Sequence, residues 1–194
     1  LEDKKINRNF LLKAEKSINR MIEMVDDLDE ISKLESNRMV LDIKRFDLLA
    51  LTKEIIESLE YKAKKKKISL RMNTDQKNIF VKADPARISQ VITNLLVNSI
   101  NYGKEDGRTT VKFFDLDENV LVEVGDNGRG IEAEHLPRLF ERFYRVDKGR
   151  SRSDGGSGLG LAIVKHIMEA HQQTINVRSK VGEGSVFSFT LEKA

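Results

Sequence analysis

Apolar side chains recur three and four positions apart near the start of the chain, as they do on one face of a helix. The stripe runs from Leu11 to Leu34, and neither glycine nor proline interrupts it. A helix of about 30 residues is about 45 Å long, which is more than one small globule can cover. The pattern predicts a long helix over about 4–35 that needs a partner helix, either from a second copy or from further sequence.

Downstream of this helix, the chain alternates helical and strand patterns. Asp47 and Asp84 each stand where an N-cap is expected, and Pro85 occupies the first turn that follows, a favoured place for proline. Helices are predicted over about 48–66, from 85 onward and over 159–170, with strands at KISLRM, NIFVKA, TTVKFFDL, NVLVEVGD, TINVRS and SVFSFTL. This alternation indicates an α+β layered sandwich. The aromatic residues expected in its core are Phe113, Phe114, Phe187 and Phe189.

The composition narrows the class of protein. With 194 residues, 39% hydrophobic and 34% charged, the chain is expected to be one soluble domain with an appendage. It has no cysteine, which excludes disulfides, thiolate catalysis and cysteine zinc sites. A net charge of only +3 gives no reason to expect a nucleic-acid partner. The five lysines within 62–67 are interpreted as a solvated helix end rather than a polyanion site, and no run is apolar enough for membrane contact.

Three asparagines lie on one face of the helix that begins at Pro85. Asn94, Asn98 and Asn101 recur four and three positions apart, so their amides share that face. A carboxamide oxygen can ligate Mg²⁺, which completes its shell with water and substrate phosphates. Three asparagines are also common on a helix that simply faces solvent.

Two glycine-rich segments add to this pattern. In GDNGRGI a predicted strand ends at Asp126, and Gly128 and Gly130 allow the backbone to approach a planar ligand, although the same residues fit an ordinary turn. In GGSGLGLAIVKHI the glycines precede an apolar helix, so free backbone amides would face a bound anion. Neither a Walker loop nor a dinucleotide fingerprint fits this second segment.

In this order, the motifs resemble those of the ATP-binding domain of bacterial sensor histidine kinases, which share a Bergerat-type fold with gyrase, MutL and the large heat-shock chaperone ATPases. The matching stretches are an N box at 94–102, a first glycine box at 126–131, a phenylalanine box at 139–147, a second glycine box at 156–162 and a last one at 182–185. The resemblance implies a two-layer α/β sandwich over 41–194, with helices on one face of a mixed, mostly antiparallel sheet. Residues 1–40 would be the second helix of a dimerisation and phosphotransfer bundle.

The resemblance also implies roles for single residues in holding ATP and Mg²⁺. Asn98 would ligate the metal, Asn94 would support the metal or the phosphates, and Arg145 would meet phosphate charge during catalysis. Asp126 would accept a hydrogen bond from the adenine amino group. The other nucleotide contacts would come from Asn101, Tyr102, Gly128, Gly130, Ile131 and Tyr144, and from Gly156, Ser157, Gly158, Leu159 and Gly160, with 136–157 as a mobile lid.

Asn94 helps to choose within the superfamily. The ATP-hydrolysing relatives carry a glutamate at this place, and an amide cannot act as a general base, so transfer to an acceptor is favoured over hydrolysis. None of His135, His166 and His171 has the setting of the family's phosphoacceptor. The phosphorylated histidine is therefore expected on a helix upstream, and this chain alone is not expected to autophosphorylate.

The resemblance implies partners as well. A response regulator would receive the phosphate, a second copy would pair through the long helix, and the chain would lie in the cytoplasm as part of a membrane-anchored bacterial sensor. The family usually has lysine at the place of Asn101, so a lower nucleotide affinity is expected. Two alternatives stay open: an interaction module with a degenerate nucleotide site, and a gyrase- or MutL-like ATPase.

Overall fold

The computed structural model describes residues 4–35, 40–146 and 157–194. The helices in this part of the chain are α1 (Lys4–Glu35), α2 (Leu48–Lys65), α3 (Pro85–Tyr102) and α4 (Gly160–Ala170). The strands are β1 (Lys44–Asp47), β2 (Ser69–Asn73), β3 (Phe80–Ala83), β4 (Arg108–Leu116), β5 (Asn119–Asp126), β6 (Ile175–Lys180) and β7 (Gly184–Glu192), and a 3₁₀ helix covers Ala133–Arg138. All the predicted helices and strands are present, whereas the sequence did not predict β1 or the 3₁₀ helix.

A five-stranded sheet forms one layer of the molecule. Its order is β2-β4-β5-β7-β6, and only the β2 and β4 pair in it is parallel. β1 and β3 form a separate antiparallel pair. The end of the chain joins the two sheets, because the N–H of Ala194 donates to the carbonyl of Phe80 at 3.1 Å. The expected α+β architecture with a mixed, mostly antiparallel sheet is confirmed.

The core lies between the sheet and α2, α3 and α4. Along β5, the side chains of Val120, Val122 and Val124 are buried, and they join the buried apolar face of α3 in one cluster. Phe113, Phe187 and Phe189 belong to this core, but the prediction for Phe114 is wrong, since its side chain is 42% exposed. Successive residues of a strand point to opposite faces of the sheet, so Phe113 and Phe114 cannot share one side.

Both predicted N-caps are formed. Asp47 Oδ1 accepts hydrogen bonds from the N–H groups of Leu49 and Ile79, at 3.0 and 3.2 Å. Asp84 Oδ1 accepts from Ala86 and Arg87, also at 3.0 and 3.2 Å. The bonds from Leu49, Ala86 and Arg87 satisfy N–H groups that the first helical turn leaves without intrahelical partners, and so they fix where α2 and α3 begin. The bond from Ile79 attaches the segment before β3 to the cap of α2.

The long helix α1 has the predicted bounds and packs against α4. Much of its apolar stripe is exposed, with Leu11 at 70% and Val25 at 63%. In the ranges that the structure describes, no helix is both long enough and apolar enough to cross a membrane.

Candidate functional site

The asparagine face of α3, which consists of Asn94, Asn98 and Asn101, lies outside the buried core. All three residues are half-buried, whereas Val91, Leu95 and their neighbours on the other side of the helix are buried. The spacing predicted this shared face. The three amides thus stand at the edge of the core, where a ligand can reach them while the helix behind them is held rigidly.

The second glycine box contacts the asparagine face at Asn94. The Nδ2 of Asn94 donates to the carbonyl of Gly160, the first residue of α4, at 3.3 Å. A Cβ added to Gly160 would stand 3.6 Å from the Asn94 amide, an ordinary contact. With its nitrogen bound in this way, Asn94 presents Oδ1 as the atom that could ligate a cation. The N-terminal end of α4, which favours anions, lies beside it.

The first glycine box meets the other end of α3. Asp126 is the last residue of β5, and its Oδ1 accepts from the N–H of Gly128 at 2.7 Å. A Cβ on Gly128 would stand 2.7 Å from that oxygen, 3.1 Å from the carbonyl oxygen of Tyr102 and 3.3 Å from Gly103 Cα. Only glycine therefore lets the turn approach the end of α3 so closely.

The carboxyl group of Asp126 is electrostatically unusual. Burial raises the pKa of Asp126 above its ordinary value, and the hydrogen bonds that the carboxylate accepts from the N–H groups of Gly128 and Ser185 oppose this rise. A partly desolvated carboxylate is a strong acceptor for a neutral N–H donor, because less water competes for it. Asp126 is thus suited to accept a hydrogen bond from an amino group of a ligand.

Gly130 faces protein backbone. Its φ is +72°, and a Cβ there would lie 2.0 Å from the carbonyl oxygen of Lys180. The N–H of Gly182 donates to the carbonyl of Arg129 at 2.7 Å, which fastens the last glycine box to the first. The close contact with Lys180 accounts for glycine at 130 without any ligand.

Ser179 is a supporting residue that the sequence analysis missed. Its Oγ accepts from the N–H of Ile131 at 2.8 Å, donates to the carbonyl of Gly184 at 2.8 Å and lies 2.9 Å from the Ser185 Oγ. It therefore holds the segment after Asp126 against β6 and β7. Because a serine within a strand is unremarkable in sequence, only its position beside the KVGEG turn could have indicated this role.

At the end of α3, Tyr102 is 40% exposed and the guanidinium carbon of Arg129 lies 5.4 Å from the centre of its ring. Arg129 was not predicted as a site residue. The Nζ of Lys66 donates to the backbone carbonyl of Asn101 at 3.4 Å. A cation from the residue that follows α2 therefore lies near the place where the family's usual lysine is replaced by asparagine.

Tyr144 contacts the 3₁₀ helix. Its hydroxyl lies 2.7 Å from His135 Nδ1, and the guanidinium carbon of Arg138 is 4.4 Å from the centre of its ring. Arg145 is half-buried. The described side-chain contacts of Tyr144 are thus with His135 and Arg138 rather than with the asparagine face.

Phe143, within the predicted lid, is hydrogen-bonded to Gly158, the residue that follows the lid. The N–H of Phe143 donates to the carbonyl of Gly158 at 3.0 Å, and both residues have positive φ, +60° and +79°. Ser157 Oγ then accepts from the N–H of the buried Leu159 at 3.2 Å. Gly156 lies outside the described residues, as do the other lid positions from 147 to 155.

Comparison with known proteins identifies the family of this chain. Residues 83–194 match the protein family described as histidine kinase-, DNA gyrase B-, and HSP90-like ATPase. Over 200 aligned residues, covering 98% of the chain, the sequence is 36% identical to the sensor histidine kinase WalK of Bacillus subtilis (strain 168). The chain spans only 31% of the length of that protein.

Solved structures show the same relationship. The nucleotide-free catalytic domain of histidine kinase ThkA matches with a TM-score of 0.70 and 30% identity, over 79% of this chain and 97% of that one. ThkA in complex with the response regulator TrrA matches with a TM-score of 0.79 and 27% identity, over 100% of this chain and 53% of that one. The chain therefore belongs to the histidine kinase-, DNA gyrase B- and HSP90-like ATPases, and within them to the ATP-binding catalytic domains of two-component sensor histidine kinases.

Proposed function

We propose that this chain binds Mg-ATP along α3 and positions its γ-phosphoryl group for transfer to a histidine that the chain does not itself supply. The observation that carries the proposal is the placement of the two glycine boxes. Gly128 lies against the end of α3 at Tyr102, whereas Gly160 lies against Asn94, about 12 Å earlier along the helix axis. An extended nucleoside triphosphate has a comparable length.

The adenine would bind at the end of α3. Asp126 offers a partly desolvated carboxylate, and glycine at 128 lets the turn that follows it lie close against the end of α3. Tyr102, with Arg129 beside its ring, adds an exposed aromatic surface. A carboxylate accepts but does not donate, so it favours a base with an exocyclic amino group at this position. The 6-amino group of adenine is such a donor, in keeping with the role that the family resemblance implies for Asp126.

The phosphates and the metal would bind near Asn94. The residues present fit a magnesium site, because Asn94 and Asn98 offer neutral amide oxygens beside the N-terminal end of α4. Bound Mg²⁺ would neutralise phosphate charge. Asn98 would ligate it, Asn94 would support it, and the backbone amides of 158–160 would bind the phosphates. Arg145 would add a guanidinium, and Tyr144 would cover the nucleotide.

Transfer is favoured over hydrolysis for a chemical reason. The position where the hydrolysing relatives carry glutamate holds Asn94, whose amide donates to Gly160 and has no basic character. His171 and His135 are already hydrogen-bonded within the fold. The acceptor would therefore be a histidine of a preceding helix, from which the phosphoryl group would pass to a response regulator aspartate.

The proposed partners follow from α1 and from the relatives. A second copy would cover the exposed apolar stripe of α1 and form a helical bundle. The receiver domain of a response regulator would bind to this chain, as the response regulator TrrA binds ThkA in the solved complex. We place the chain in the cytoplasm, as one part of a membrane-anchored sensor.

Calorimetry with Mg-ADP and Mg-ATP tests the nucleotide site. We expect binding that weakens when EDTA removes the metal, and no labelling of the chain itself by ATP carrying a labelled γ-phosphate. A longer protein that includes the preceding helix should become labelled. If the folded chain binds no nucleotide at millimolar concentration, the proposal is wrong. Rapid ATP turnover without an acceptor would instead indicate a gyrase- or MutL-like ATPase.

A further inference from the structure

Helices α3 and α4 are joined a second time, at the end remote from Gly160. His171 directly follows α4, and its Nε2 accepts a hydrogen bond from the N–H of Asp84 at 3.1 Å. Its Nδ1 lies 2.8 Å from the carbonyl oxygen of Ile167. A backbone N–H can only donate and a carbonyl can only accept, so Nε2 acts here as the acceptor and Nδ1 as the donor.

The two junctions lie at opposite ends of a pair of antiparallel helical segments. On α3, about ten residues separate Asp84 from Asn94, a distance of about 15 Å along the axis. On α4, a similar length separates Gly160 from His171. One hydrogen bond joins each end, Asn94 to Gly160 at the phosphate end and Asp84 to His171 at the far end, which we call the distal clasp.

Between these two hydrogen bonds, the contact of α3 with α4 is apolar. Val91 and Leu95 of α3 and Ile163 and Ile167 of α4 are all buried in the same cluster. Apolar burial is non-directional, so it draws the helices together without fixing how far one slides along the other. Directional hydrogen bonds at the two ends can fix that axial position.

We propose that His171 is a positioning residue for the nucleotide site, because its clasp on Asp84 holds α4 in register along α3 and so keeps Gly160 beside Asn94. The inference rests on the proposed nucleotide binding, to which it adds a residue that touches neither nucleotide nor metal. Without an acceptor at 171, the N–H of Asp84 would lose its partner, and α4 would lose this polar bond to α3 at the end remote from the phosphates.

Variants at 171 test the role of the acceptor. His171→Leu keeps apolar volume but accepts no hydrogen bond, and we expect Mg-ADP to bind about three- to tenfold more weakly. His171→Gln places Oε1 near the position of Nε2 and should bind within about twofold of the unchanged chain. Should H171L not fold, His171→Ala, which admits water to the Asp84 N–H, replaces it.

The control variant must lose stability without changing the distal clasp or the bond between Asn94 and Gly160. Val120→Ala removes buried volume at the far end of β5 from Asp126 and is expected to destabilise the fold while leaving Mg-ADP affinity unchanged. If V120A weakens binding as much as H171L does, or if H171L binds like the unchanged chain, the proposal is overturned. It is also overturned if H171Q is as weak as H171L.

A measurement without nucleotide separates this inference from the proposed function. The side-chain amide of Asn94 gives its own signals in a ¹⁵N NMR spectrum, assigned by their loss in Asn94→Ala. We expect H171L, but neither H171Q nor V120A, to shift these signals in the nucleotide-free chain. Such a shift would support the clasp even if the unchanged chain bound no Mg-ADP. Unmoved signals in H171L would contradict it even if nucleotide binding were found.

Discussion

The carboxylate of Asp126 is suited to bind a ligand, but its burial lowers the stability of the fold. The pKa of Asp126 is raised, chiefly by burial, above the ordinary value of 3.8. Between 3.8 and the raised value, the native state holds more protons than the unfolded state, so the contribution of this group to stability falls as the pH rises. At neutral pH the ionised carboxylate is therefore kept at some expense of stability, which is common for functional groups.

Asp126→Asn should separate binding from folding. Asparagine retains an oxygen that can accept from Gly128 but loses the charge, so we expect Mg-ADP to bind at least about tenfold more weakly. The free energy of unfolding should stay within about 1 kcal/mol or rise, because a desolvated charge has been removed. Calorimetry and urea unfolding measure the two quantities. Asp75→Asn, at an exposed aspartate, should change neither. Equal affinities of D126N and the unchanged chain would refute the adenine assignment.

Gly128 is expected to tolerate no side chain. Gly128→Ala would bring a Cβ within 2.7 Å of Asp126 Oδ1 and 3.1 Å of the Tyr102 carbonyl oxygen. The backbone of α3 cannot easily move away, so we predict a loss of about 1–3 kcal/mol in the free energy of unfolding, together with weaker Mg-ADP binding.

Gly125→Ala is the matched control for Gly128→Ala. It adds the same methyl group to the same motif, but its nearest neighbour would be a Val186 methyl group at 3.4 Å. Urea unfolding should therefore show a change within about 0.5 kcal/mol for G125A. If G128A proved as stable as G125A, the close approach of this turn to α3 would be disproved.

Among the elements, α3 depends on its cap. Burial alone would raise the pKa of Asp84, but hydrogen bonds from the N–H groups of Asp42, Arg87 and Ala86 outweigh that effect, and the pKa lies below its ordinary value of 3.8. Oδ2 accepts the bond from Asp42 at 3.0 Å, whereas Oδ1 forms the cap itself. The carboxylate thus contributes stability that is fully present above pH 3.8 and is lost as the pH falls through the lower folded value.

Asp84→Asn should reveal this contribution. Asparagine caps a helix about as well as aspartate, but its NH₂ group cannot accept from Asp42, so we expect a loss of about 1 kcal/mol at pH 7. The difference from the unchanged chain should shrink as the pH falls below 3.8. Urea unfolding at a series of pH values measures it. Asp47→Asn should lose less, since a single oxygen of Asp47 accepts both of its bonds. A D84N difference that stayed constant down to pH 3 would contradict the assigned linkage.

The sequence predicted elements whose causes are local. Asp84 and Pro85 start α3 through contacts within one turn, and the asparagine spacing fixed a shared helix face whatever surrounds it. Pairing between distant segments could not be predicted in this way. β1 has four residues and is a strand because β3, far along the chain, pairs with it. β2 and β4 were both predicted as strands, but their parallel pairing was not.

The same limit applies to the site. The residue types of the nucleotide site could be predicted from the motifs, because their order resembles a known family. The contacts between these residues could not be predicted, because they join distant segments of the chain. Examples are the approach of Gly128 to Tyr102 and the bond from Asn94 to Gly160. The motif also gave no sign that Gly130 lies against the backbone of Lys180, and its expected place under the base stays a prediction. Alternation along β4 would have corrected the prediction for Phe114.

At the scale of the whole molecule, α1 differs from the remainder. The core joins α2, α3 and α4 to the sheet, whereas α1 contacts α4 and leaves much of its apolar stripe exposed. Leu11, Ile18 and Val25 are all more than half exposed, and they repeat at the spacing of a helical bundle. A helix of about 48 Å with such a stripe is expected to associate with another helix rather than face water.

We therefore expect the chain to dimerise through α1, and a charge within the stripe to weaken the dimer. Val25→Glu would place a carboxylate among apolar side chains of the partner helix and should raise the dimer dissociation constant at least about tenfold, as measured by sedimentation equilibrium. Asn19→Glu adds the same charge at an exposed position of α1 that lies about 120° around the helix axis from Val25, outside the stripe. This variant should change the dissociation constant little. Because neither substitution lies in the nucleotide site, Mg-ADP affinity should be unchanged in both. A chain that stays monomeric at all accessible concentrations, or equal weakening by the two variants, would show that the stripe is not covered by a second copy.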